Sequence, residues 1–104
     1  MQKKYRVEIS ATAERDIDAI YDFIATDKRV AAGKWFKQLE SFLKSLEIFP
    51  ERHEIIPEAT ELGVRYRHFI FGAYRAIYRI QDDRVLVLRV VHGSRLLDSR
   101  LLFE

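Results

Sequence analysis

GAYRAIYRIQDDRVLVLRVVHGSR, residues 72–95, reads as two β-strands joined by a tight turn. Residues alternate across a strand, so Arg75, Ile77 and Arg79 oppose Tyr74, Ala76, Tyr78 and Ile80. Likewise Leu86, Leu88, Val90 and His92 share one face of the second strand, and Val85, Val87, Arg89 and Val91 the other. Both of its faces are mostly apolar, the pattern of a central strand. Gly72 marks a turn before the first strand, and QDD (81–83) links the two. A further strand precedes them over 64–71, with Arg65, Arg67, Phe69 and Phe71 on one face.

Working back towards the start, residues 4–10 (KYRVEIS) alternate as a half-buried strand with Tyr5, Val7 and Ile9 inward. The period then becomes helical. Ala13, Ile17, Ile20, Tyr21 and Ile24 form one stripe, and Ser10 or Thr12 supplies the cap. A second helix runs over 30–49, with Trp35, Leu39, Phe42, Leu43, Leu46 and Phe49 on its apolar side, and Pro50 ends it. Residues 51–63 read as the one long irregular segment. The order β-α-α-β-β-β predicts a single α+β domain over 1–104, a helical hairpin packed on one face of a small, mainly antiparallel sheet.

Composition narrows the function classes. The chain has 104 residues and no cysteine, which leaves no thiol nucleophile, disulfide or thiolate metal site. No leader-like segment or apolar span occurs, so a cytoplasmic protein is expected. No phosphate-binding glycine loop, nucleophile elbow or metal-ligand spacing is present, so neither cofactor nor metal is expected. Residues 1–63 carry 10 Lys+Arg against 12 Asp+Glu, whereas residues 64–104 carry 8 against 4, and all eight are arginine. Arginine forks suit phosphate and carboxylate. The pleat predicts a helix-free sheet face that mixes arginine with apolar residues. Such a face either holds RNA, docks a peptide, or is a structural surface covered by arginine stems.

The segments A.AERDIDAIYDFIA (from Ala11), W...LE..L..L..FP (from Trp35) and ELGVRYRHFIFGAYRAIYRIQDDRVLVLRVVHGSR (61–95) resemble the RelE/ParE superfamily of toxins from type II toxin–antitoxin modules. The resemblance spans about Tyr5 to Asp98. It implies the fold above, a cognate antitoxin as partner, and one of two activities: ParE-like inhibition of DNA gyrase or RelE-like cleavage of mRNA on the ribosome. Metal-independent cleavage needs a base for the 2′-hydroxyl, cations for the phosphate and an acid for the leaving oxygen. In the RelE-like branch these are loop lysines, a strand arginine, an arginine after the last strand and a C-terminal tyrosine or histidine. Arg95 matches the third. Ile70 stands at the strand arginine's position, with Arg67 nearby on the opposite pleat. The loop offers Arg52 and His53 among Glu51, Glu54, Glu58 and Glu61, and Leu101 stands at the tyrosine's position.

The resemblance therefore favours a ParE-like gyrase inhibitor. The alternative is an mRNA interferase that uses His92, Arg95, Arg67 and Tyr74, and a third reading is an inactive toxin that survives as an antitoxin-binding module. Arg65, Arg75, Arg79, Arg89 and Arg95 are the candidates for contact with target or antitoxin. His92 stays open between a strand end bonded to a turn, a partner contact and a proton-transfer group. Glu58 is either an exposed loop carboxylate or a base.

Overall fold

A computed structural model describes residues 3–98 and 100. The elements are β1 (Arg6–Ile9), α1 (Ala11–Asp27), α2 (Arg29–Ser45), a 3-10 turn (Pro50–Arg52), α3 (Ala59–Leu62), β2 (Arg67–Phe71), β3 (Tyr74–Gln81) and β4 (Arg84–His92). The sheet order is β1-β4-β3-β2. β1 lies parallel to β4, and the other pairs are antiparallel. The α1–α2 hairpin is thus the crossover that carries the chain from one sheet edge to the other.

Ser10 is the cap of α1: its Oγ accepts from Ala13 N at 3.0 Å. Its N–H donates to Val87 O, and its Oγ donates to Leu88 O. The residue that starts the helix therefore also prolongs the β1–β4 ladder. A single residue, Lys28, separates the helices, so they return side by side. α2 stops at Ser45, four residues short of the expected Phe49. Phe49 precedes a proline, which disfavours helical backbone, and takes the left-handed conformation instead (φ 53°). The segment over 51–63 is more ordered than expected. It contains the 3-10 turn, α3, and a bridge from Ile55 to Arg67.

The hairpin seals one sheet face over Ala13, Ile17, Leu39, Leu43 and Leu46, which meet Phe69, Phe71, Tyr78, Val85 and Val87. Tyr78 is fully buried and donates its phenol proton to Pro50 O. Burial pushes that phenol above its ordinary range. Replacing Tyr78 with Phe strands the Pro50 carbonyl and should cost about 1–2 kcal/mol in equilibrium urea unfolding. An unchanged unfolding midpoint would rule this bond out as a stabilising contact.

Two expectations about the sheet fail. The helix-free face is not open, because Ile56, Tyr66, Ile77, Val91 and Leu97 form a second cluster there, with Ala59, Leu62, Val64 and Leu88 packed against it. In β4 the alternation breaks. Tyr78 pairs with Val87 and Ile77 with Arg89, which leaves Leu88 as an extra, bulged residue. Val90 therefore joins Val85 and Val87 in the hairpin-side core, and His92 follows it to that side, opposite Tyr74. Neither shares the face of Leu86, as strict alternation would require.

Candidate functional site

The chain turns a tight corner where β4 ends. Gly93 N bonds Ala73 O at 2.7 Å, and a Cβ on Gly93 would lie 3.3 Å from that oxygen, so glycine suits this close approach. The turn returns through Arg95 N to His92 O. Ser94 N donates to His92 Nδ1 at 3.1 Å, which leaves Nε2 to carry the proton of the neutral ring. The exposed His92 ring meets Tyr74 edge-on at 5.7 Å, and Tyr74 meets Trp35 at the same distance. His92 and Tyr74 are thus neighbours on the hairpin side.

Arg95 faces a different space. With Glu54, Glu58, Glu61, His68 and Arg75 it lines a cavity of about 490 Å³ walled by Pro57, Ile70 and Leu96. Below it is a hydrogen-bonded polar chain centred on Arg75, whose Nε has no partner among the described residues. Arg75 is 4% exposed and grips Glu58 with both terminal nitrogens, at 3.2 and 2.5 Å. It also donates to Arg95 O at 2.7 Å and to His68 Nδ1 at 3.1 Å. Arginine can only donate, so Nδ1 accepts, and the opposite nitrogen, Nε2–H, donates to Glu54 at 3.0 Å. Glu58 also accepts from Leu97 N at 3.0 Å. Chiefly the Arg75 bond, helped by that backbone N–H, holds the Glu58 carboxyl down at about 2.

This arrangement is a latch. It fastens the C-terminal strap, Arg95–Leu97, to β3 and to the segment before α3. Both ring nitrogens of His68 are occupied, and a carboxylate with a pKa near 2 is a poor proton acceptor at neutral pH.

The other candidates are dispersed. Arg67 donates to Glu51 O (3.1 Å) and His53 O (2.7 Å). It pairs with Tyr78, whereas Tyr74 pairs with Phe71 and His92. Four residues of strand separate those positions, about 13 Å. Arg89 is fixed by Asp16 at 2.8 and 2.9 Å. Arg75 and Arg89 are therefore held in ion pairs and do not lie on an open arginine face. Arg65 and Arg95 are exposed, and Arg79 is half-buried. Leu101 lies outside the described residues. His68 and Glu54 were not picked out in the sequence as candidates. The signal was available, because the two-residue turn at Gly72–Ala73 fixes a register that puts Ile70 opposite Arg75 and His68 opposite Ile77, on the same face.

Among the described residues, no group of three His, Asp or Glu side chains is placed to hold a metal ion. No helix among them is long and apolar enough to cross a membrane.

Residues 7–97 match the model of the ParE toxin of the type II toxin–antitoxin system parDE. The chain belongs to the ParE toxin family. Its fold is also similar to that of a chain in the chromosomal ParDE toxin–antitoxin system from P. aeruginosa. That match has a TM-score of 0.69 at 18% identity and covers 86% of this chain and 97% of the other. A second similar chain comes from the RelBE2 toxin–antitoxin complex of Mycobacterium tuberculosis, with a TM-score of 0.59 at 23% identity, covering 88% and 94%. No curated protein sequence matches this ParE-family chain significantly.

Proposed function

We propose that this ParE-family toxin arrests growth by binding DNA gyrase in the cytoplasm and is neutralised by a cognate antitoxin. The observation that carries this reading is the dispersal of the proton-transfer and phosphate candidates. His92 and Tyr74 sit on the hairpin side, Arg95 on the opposite side, and Arg67 about 13 Å along the sheet, held by loop carbonyls. General acid–base chemistry needs these groups within hydrogen-bond reach of one phosphate. Binding needs only exposed contacts, which Arg65 and Arg95 supply, with Arg79 partly accessible. The antitoxin rests on the family, and two similar solved chains come from a ParDE toxin–antitoxin system and a RelBE2 toxin–antitoxin complex.

A single experiment separates the activities. The chain is expressed under tight control without antitoxin, and mRNA integrity and plasmid supercoiling are followed in the same arrested cells. We expect altered supercoiling with intact mRNA, and His92→Ala should keep gyrase inhibition within about threefold of wild type, since no proton transfer is asked of it. Rapid mRNA loss with normal supercoiling would overturn the proposal in favour of the interferase. Continued growth with folded protein would favour the inactive toxin.

A further inference from the structure

Residues 51–55 lie along the outer edge of β2 and are fastened to it on both sides of His53. Arg67 donates to the carbonyls of Glu51 and His53, His68 N donates to Glu54 O at 3.2 Å, and Ile55 bridges to Arg67. A buried residue anchors each end of the segment. Pro50 offers its carbonyl to Tyr78, and Ile56 N donates to Tyr66 O. Between these anchors the His53 ring packs against the sheet, 5.6 Å from Phe69 and edge-on to Tyr78 at 6.3 Å.

The ring is half-buried, and its Nε2 is buried with no hydrogen-bond partner among the described residues. Whichever nitrogen carries the single proton of the neutral ring, a second proton makes both of them donors, and Nε2–H then points at no acceptor. The surrounding charges oppose that proton too. Arg52 stands beside His53, and Arg67 faces it from β2. Both nearby carboxylates are engaged elsewhere: Glu51 accepts from the Tyr5 hydroxyl at 2.9 Å, and Glu54 from His68 Nε2 at 3.0 Å. Tyr78 of β3 is a neutral phenol, and Phe42 of α2, stacked on Phe69, carries no charge. Burial above all, then Arg52 and His68, hold the His53 ring below its ordinary range.

We infer that residues 51–55 form an acid-released flap, which leaves β2 when His53 takes up a proton. Opening returns the imidazolium to water, which supplies the acceptor that the closed pocket lacks. Pro50 and Ile56 stay buried and act as the hinges. Arg67 loses both of its carbonyl partners, so an uncaged cation is presented two residues from exposed Arg65. The closed form binds the proton less readily than the open one, whose histidine keeps the ordinary value of 6.5. The preference for closure is therefore complete above about pH 6.5 and declines as pH falls below it. Glu58, held at about 2, stays ionised throughout this window. The device is independent of the gyrase reading.

The test is amide hydrogen exchange on the full chain at about pH 7.5 and 5.5, corrected for the intrinsic effect of pH on exchange. Protection of the His68 amide should fall by about three- to tenfold at the lower pH, while Ile56 and Ala76 keep theirs. His53→Phe retains an aromatic ring but cannot take a proton, so its His68 protection should be equal at both pH values. An NMR titration of the ring needs no substitution: His53 should titrate below 6.5 in the wild type. Unchanged His68 protection in the wild type would overturn the inference, as would a loss that His53→Phe retains. So would a loss that spreads to Ala76, which reports general unfolding, or a His53 midpoint at or above 6.5. Neither measurement reads supercoiling, so failure here leaves the gyrase proposal standing.

Discussion

Replacing Glu58 with Ala should destabilise the protein by about 3–5 kcal/mol, the cost of leaving a buried charge without its partner. Arg75 is 4% exposed, and Glu58 is the only carboxylate it reaches among the described residues. The same substitution releases Leu97 N–H, which holds the C-terminal strap over the second core. Against a typical total of 5–15 kcal/mol, much of the folded state's margin would go. Glu58→Gln keeps an acceptor but not the charge, and should fall between the two. Urea unfolding measures both, and a loss below about 1 kcal/mol for Glu58→Ala would mean the latch does not hold.

The same residue sets an acid limit. The folded pKa of about 2 lies below the ordinary 4.5, so the folded state binds this proton less readily than the unfolded chain. Its contribution, about 3 kcal/mol, is complete at neutral pH and is lost as pH falls from about 4.5 towards 2. By pH 3 about 2 kcal/mol of it should be gone. Glu58→Gln should flatten that part of the pH–stability curve, and an unchanged slope between pH 5 and 3 would contradict the assignment.

The second large effect is expected at Asp16. β1 ends at Ile9, and beyond it β4 has no neighbouring strand on that side. Asp16 projects from the second turn of α1 to accept from Val90 N at 3.0 Å while gripping Arg89. A helix carboxylate thus takes the place of a strand. Asp16→Ala should cost about 2–4 kcal/mol, since it removes both a backbone acceptor and a charge partner from a mostly buried position. Asp16→Asn keeps the acceptor and should recover part of that loss. Hydrogen exchange at Val90 gives the local readout: its amide should exchange faster in Asp16→Ala, and unaltered protection would refute the capping role.

Element type and order could be read from the sequence because they rest on local periodicity. The two amphipathic helices and the strands each depend on neighbours a few residues apart, and they place the chain in its superfamily, although α2 ends at Ser45 rather than at Phe49 before Pro50. Tertiary structure decided what depends on partners distant in sequence. Whether β4 keeps strict alternation was settled by a bulge at Leu88, and that bulge moved Val90 and His92 to the other face. Eight arginines after residue 63 suggested a basic surface, but ion pairing depends on what folds against each one. Glu58 lies 17 residues from Arg75, and Asp16 lies 73 from Arg89. Composition counts those charges without showing which are already neutralised, so only the assembled sheet separates exposed arginines such as Arg65 and Arg95 from those that hold the fold together.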